Sequence, residues 1–240
     1  MIKPQTRGTL RRPSRRQATV VKLLWDQMDF QYASDQALQV SLGDGITLPT
    51  HHRVRKLMRL LEAQPVPGVC NLHPAYCSVL IRFNPLITDH ATVERAVRER
   101  GASLEQIELP QPRIVEIPVE YGGQAGPDLP DVAKLSGLSQ DEVVRRHSQA
   151  RYLVYFLGFV PGFAYLGGLP DAIAVPRLPA PRKRVEAGSV GIAGSQTGVY
   201  PVPTPGGWRL IGRTPLTIFS ATREPGALLA LGDEVRFRPI

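Results

Sequence analysis

The chain has 240 residues, a formal net charge of +8, 42% hydrophobic residues and 21% charged ones, which suits one large or two modest folded domains and excludes a disordered chain. The charge sits at one end. Residues 1–24 hold Lys3, Arg7, Arg11, Arg12, Arg15, Arg16 and Lys22 with no acid, leaving 22 basic against 21 acidic residues elsewhere. That extension reads as a basic, disordered arm able to touch nucleic acid or anionic membrane, or as a floppy terminus or mis-called start. It lacks the apolar core of a secretory signal, and no apolar run reaches the roughly 18–20 residues of a spanning helix. The expected location is the cytoplasm, where Cys70 and Cys77 are free thiols.

In chain order, residues 36–43 alternate apolar and polar as a strand does, and Asp44-Gly45 turns the chain. From Pro49 to Ala63 the spacing puts Val54, Leu57, Met58, Leu60 and Leu61 on one helical face, and residues 65–68 (PVPG) stop the helix. Residues 69–72 and 76–83 read as a hairpin. Residues 89–100 read as a second helix, with Asp89 as N-cap and Gly101 as stop. A strand at 103–109 would close a ferredoxin-like arrangement, so residues 25–110 are expected to be an α+β domain, ending at Pro110-Gln-Pro112. Residues 113–121 begin a second domain, 111–240. Two short helices follow, 129–136 and one from Ser139, whose spacing to Glu142 is a capping box. From Tyr152 onward only short strands and Gly/Pro turns are evident, ending in a strand near 231–238. That pattern indicates a sandwich or closed barrel.

Three tempting motifs weaken on inspection. Residues 131–147 imitate a helix-turn-helix with Arg145 and Arg146 on the second helix, but the body carries no basic surface, so nucleic acid is not expected as a partner. Residues 188–198 (GSVGIAGSQTG) are glycine-rich yet lack the lysine a nucleotide P-loop requires. Ser189 and Ser195 could serve as nucleophiles beside His147, but no G-x-S-x-G elbow exists. His147 lies on the Val143 helical face and reads equally as a core or a site histidine. Arg177, Arg182 and Arg213 adjoin prolines in rigid turns, which suits capture of a carboxylate or phosphate. Aromatic residues including Tyr165, Tyr200 and Trp208 supply core, or the wall of a cleft.

Taken together, these motifs resemble a known family. The resemblance rests on His147 with Tyr152, residues 158–166 (GFVPGFAYL), Pro176-Arg177, Pro181-Arg182, residues 188–201 (GSVGIAGSQTGVYP) and residues 205–215 (PGGWRLIGRTP). Residues 119–121, 126–129, 43–45 and 67–69 fit in order, over roughly residues 35–240; Glu186 stands where many relatives have proline. The chain resembles the B subunit of bacterial ATP-dependent 5-oxoprolinase, the KipI-like or allophanate hydrolase subunit 1-like family.

The resemblance implies a cyclophilin-like β-barrel as the second domain and an enzyme subunit inactive alone. It would act with an A subunit and a C subunit of related barrel fold to open 5-oxo-L-proline to L-glutamate with ATP hydrolysis. ATP and Mg2+ are expected at the level of the complex, with none assigned to this chain. The same resemblance carries another role, a protein inhibitor that binds a sensor histidine kinase. Candidate cleft, substrate or anion-binding residues are His147, Tyr165, Arg177, Arg182, Ser189, Gln196, Tyr200, Trp208 and Arg213. No catalytic residue and no metal ligand is assigned.

Overall fold

A computed structural model describes residues 28–240, so the basic extension of residues 1–24 lies outside the described residues. The chain divides into two compact units. One runs through His73 and resumes over Cys77–Glu108; the other comprises Pro74–Tyr76 and Leu109–Ile240.

In the first unit β1 (Asp29–Ser34) and β2 (Ala37–Ser41) form an antiparallel hairpin. Helix α1 (Leu48–Ala63) starts at Thr47, whose hydroxyl accepts the Thr50 N–H at 3.2 Å, with Pro49 in the first turn where its missing N–H costs nothing. The helix buries Val54, Leu57, Met58, Leu60 and Leu61, the face its spacing predicts. Strands β3 (Val69–Pro74) and β4 (Ser78–Phe83) follow, then α2 (His90–Gly101), begun by Asp89 accepting the Thr92 N–H at 2.7 Å. The sheet order is β1-β2-β4-β3.

The expected ferredoxin-like N-terminal domain does not form. The closing strand predicted at 103–109 is a single 3-10 turn, Leu104–Gln106, followed by irregular chain. Leu104 is buried there, and the Gln106 and Ile107 N–H groups donate within the turn to the Ser103 and Leu104 carbonyls, at 2.9 and 3.2 Å, rather than to a neighbouring strand. The sheet edge beside β2 is taken instead by β1. The described chain is a mostly-β fold with four helices and a seven-stranded barrel.

The second unit is that barrel, in keeping with the cyclophilin-like expectation. It contains β5 (Ile114–Tyr121), β6 (Tyr152–Leu157), β7 (Ala164–Gly167), β9 (Ser189–Ala193), β10 (Gln196–Val199), β12 (Arg209–Arg213) and β13 (Glu234–Pro239). The ring closes in the order β10-β7-β6-β13-β5-β12-β9. Alternate residues point inward, among them Ile117, Val119, Val154, Leu166, Val190, Ile192, Ile211 and Val235, all buried in one core. Strands β8 (Arg182–Val185) and β11 (Thr204–Gly206) pair outside the ring as a separate ribbon.

Two helices complete this unit. Helix α3 (Leu129–Ser136) ends at Gly137, in the left-handed region at φ 68°. Helix α4 (Gln140–Gln149) starts at Ser139, whose hydroxyl accepts the Glu142 N–H at 3.2 Å, as its capping sequence predicts. Arg145 and Arg146 on α4 both bond to Glu142, at 2.7 and 2.6 Å. A small second core (Phe163, Val185, Ala193, Tyr200, Trp208 and Leu210) lies under the β8–β11 ribbon. Among the described residues no helix is long and apolar enough to cross a membrane.

Candidate functional site

His147 is a structural residue. It faces inward from α4 with no exposed surface, and both ring nitrogens are engaged. Nε2 lies 2.9 Å from the Thr197 hydroxyl on β10, which in turn donates to the Gly191 carbonyl of β9 at 2.9 Å. A hydroxyl has one proton, so Thr197 accepts from Nε2–H. Nδ1 then accepts from the Tyr121 hydroxyl of β5 at 2.7 Å. The ring packs on Phe237 of β13, and the Tyr152 hydroxyl of β6 donates to the His147 carbonyl at 2.8 Å. One side chain thus ties α4 to the ring of strands.

Burial lowers the His147 pKa to about 3. His51 in the first unit is lowered to about 3 as well, by burial first and by Arg55 second. Unfolding returns both to about 6.5, so the unfolded chain binds more protons between those values. Stability is full above pH ~6.5 and falls as pH drops towards ~3, at up to about 1.4 kcal/mol per pH unit for each histidine. Urea denaturation between pH 7 and 4 checks this, and a flat profile would refute it.

A second cluster gathers residues that sequence reasoning left separate. Asp128, 4% exposed, precedes α3. One carboxylate oxygen accepts the Leu210 N–H at 2.7 Å, while the Asp128 N–H donates to the Leu210 carbonyl at 2.9 Å, locking the residue onto β12. The other oxygen accepts Arg182 Nη2 at 2.6 Å. The Nη1 of Arg182 is buried with no hydrogen-bond partner.

Arg182 opens β8 and lies directly opposite Gly206 of β11. A Cβ on Gly206 would stand 2.4 Å from the Tyr200 hydroxyl, so only glycine lets that hydroxyl reach this point. Burial raises the Tyr200 pKa, offset by a bond from the Trp208 N–H and by the charges of Arg177 and Arg182. Arg177 is exposed on a turn fixed from two sides. Arg209, almost buried, donates Nε to the Pro176 carbonyl at 3.0 Å and pairs with Asp131 at 3.4 Å; the Leu178 N–H donates to the Gly207 carbonyl at 2.8 Å.

Aromatic rings wall this corner. Phe163 meets Tyr200 at 5.4 Å and Trp208 at 5.3 Å between ring centroids, and Tyr165 lies 5.1 Å from Phe163. Tyr165 also stacks on Phe156 at 4.6 Å. Phe159, in the β6–β7 turn, is 59% exposed at φ 69°, the left-handed region that disfavours a residue with a side chain.

The structure therefore brings together Arg177, Arg182, Tyr200, Trp208 and Tyr165, and leaves others apart. Arg213 ends β12, opposite Ser189 and Glu120, and lines a separate depression with Gly188, Pro201 and Leu216. Ser189 is buried, and His147 bonds to Tyr121 and Thr197 rather than to it, so the two form no nucleophile–base pair. Gln196, half-buried, donates to the hydroxyl of Tyr76, which groups with this unit. Sequence reasoning had Asp128, Tyr121, Thr197 and Arg209 only inside family runs and Asp131 only in the helix-turn-helix-like stretch, and gave none of them a role. The corner sets the guanidinium of Arg182 against the carboxylate of Asp128, with Arg177 on the neighbouring turn.

Comparison with known proteins places this arrangement. A family model described as "Carboxyltransferase domain, subdomain C and D" matches residues 28–229. The B subunit of 5-oxoprolinase from Bacillus subtilis (strain 168) is 43% identical over 213 residues, 85% of this chain and 89% of that protein. Its counterpart from Escherichia coli O157:H7, also a 5-oxoprolinase B subunit, is 45% identical over 212 residues, 85% of this chain and 93% of that one. The chain belongs to the family of 5-oxoprolinase B subunits.

Solved structures agree with that membership. The fold is similar to the crystal structure of TTHA0988, with TM-score 0.75 and 36% identity over 86% of this chain. The match spans only 40% of TTHA0988, so more than half of that protein lies outside it. The conserved uncharacterized protein PH0987 from Pyrococcus horikoshii is 45% identical with TM-score 0.52, covering 88% of this chain and 97% of that one.

Proposed function

We propose that this chain is the B subunit of an ATP-dependent 5-oxoprolinase, which opens 5-oxo-L-proline to L-glutamate with ATP hydrolysis and acts with A and C subunits. The observation that carries the reading is likeness at 43% and 45% identity to two bacterial B subunits over 89% and 93% of their lengths. The chemistry accounts for the coupling, since a five-membered lactam resists hydrolysis and ATP supplies the driving force.

Residues 188–198 carry no lysine, so they are not a nucleotide P-loop. ATP and Mg2+ enter this reading at the level of the complex, with no site for either assigned to this chain. No observation favours the kinase-inhibitor role.

The test is to co-purify the chain with the products of its neighbouring genes and measure glutamate release from 5-oxo-L-proline with and without ATP. Release is expected only from the complex and only with ATP; release by this chain alone would contradict the reading. Arg177→Ala and Arg182→Gln are expected to cut the rate by about 100-fold each, the scale set by losing a charge-assisted bond to a bound anion. Circular dichroism of each variant verifies that it is folded. Full activity in both would refute a role for this corner.

A further inference from the structure

The Asp128–Arg182 pair contains a polar group that the fold leaves unfinished. Arg182 gives Nη2 to Asp128, while Nη1 is buried without a partner. Buried donors are rarely left unsatisfied in folded proteins, and a bound acceptor is one way to complete them. The Tyr200 hydroxyl stands over Gly206, the residue opposite Arg182. Tyr200 is buried, and its phenol hydroxyl can donate as well as accept. Arg177, on its doubly fixed turn, adds a second guanidinium close enough to act on Tyr200.

The charges select the class of anion. Asp128 cancels Arg182, so the corner carries about one net positive charge, from Arg177, which matches a monoanion better than a phosphate dianion. Half-buried Tyr165, packed edge-on against the buried Trp208, offers an apolar face that suits a small ring beside that charge.

We infer that Arg182, Arg177 and Tyr200 form a binding corner for the carboxylate of a small ring compound, with Asp128 as the positioning residue that presents Arg182. The inference rests on the oxoprolinase reading only in naming 5-oxo-L-proline as the natural ligand. The geometry applies to any small ring carboxylate. Asp128 touches no ligand. It fixes the direction of Arg182 and sets the charge of the corner.

Calorimetric titration of the purified full-length chain tests this with four probes: 5-oxo-L-proline, cyclopentanecarboxylate, 2-pyrrolidinone and inorganic phosphate. Both carboxylates should bind saturably, 2-pyrrolidinone (the lactam without its carboxylate) should not, and phosphate should bind more weakly than either. Arg177→Gln and Arg182→Gln should each weaken carboxylate binding by about tenfold or more, and Tyr200→Phe by a few-fold. Arg177 is exposed, so its variant keeps the test open if Arg182→Gln does not fold.

Asp128→Asn raises the net charge of the corner and should shift preference from carboxylate towards phosphate by about tenfold, a change that a purely structural role would not produce. Absence of saturable carboxylate binding, equal binding of 2-pyrrolidinone, or affinities unchanged in both arginine variants would overturn the inference. Binding is measured without the partner proteins. An inactive complex with intact carboxylate binding would therefore refute only the oxoprolinase reading, and an active complex without binding by this corner only the inference.

Discussion

Replacing His147 with alanine is expected to destabilise the second unit by about 3–4 kcal/mol. The substitution removes a fully buried ring packed on Phe237 and Tyr152 and leaves a cavity between α4 and the barrel. It also strips the Tyr121 hydroxyl of its acceptor and the Thr197 hydroxyl of its donor, both inside the protein. Truncating a large core side chain costs about 2–5 kcal/mol, and each orphaned buried polar group adds about 1 kcal/mol or more. Urea denaturation followed by tryptophan fluorescence measures the change. A loss under about 1 kcal/mol would show that the histidine does not tie helix to barrel.

Asp128→Ala is expected to cost about 3–5 kcal/mol, the usual consequence of removing one partner of a buried ion pair. The pair is well removed from water, with side-chain exposure of 6% for Asp128 and 30% for Arg182. The single change leaves a guanidinium facing an apolar gap and the Leu210 N–H without its acceptor. Arg182→Met leaves the opposite orphan, a buried carboxylate still holding Leu210. The double variant carries neither charge, so it should be more stable than the sum of the two losses by about 2 kcal/mol. Additive losses would mean that the two side chains act independently, and Asp128 would then have no claim to present Arg182.

Much of the local structure was legible because it depends on neighbours in sequence. The α1 face and the Asp89 and Ser139 caps each rest on residues a few positions apart. Strand β1 was missed because it follows directly on the basic extension and has only a short alternating pattern, DFQYAS. The strand predicted at 103–109 had the right spacing of apolar residues, but its N–H groups bond locally in a 3-10 turn.

The site was harder to read because its partners are distant in sequence. Arg182 meets Asp128 across 54 positions, and His147 meets Thr197 across 50. Spacing could not separate Arg213 from Arg177 and Arg182, since all three share a proline-rich context. Strand direction separates them. Strand β12 runs from Arg209, which fixes the Arg177 turn, to Arg213 at its far end.

The last strand of the chain has a consequence for the order in which the protein is assembled. Strand β13 lies between β5 and β6, parallel to the first and antiparallel to the second. Until β13 is in place, those two strands have unpaired edges facing a gap, although they leave the ribosome long before it. Arg113 reaches Asp233 across the same seam, so the clasp beside the gap also waits for late residues. The ring therefore cannot close without residues 234–239. A chain cut before residue 234 presents two bare strand edges, on β5 and β6, on which it can pair with another copy of itself.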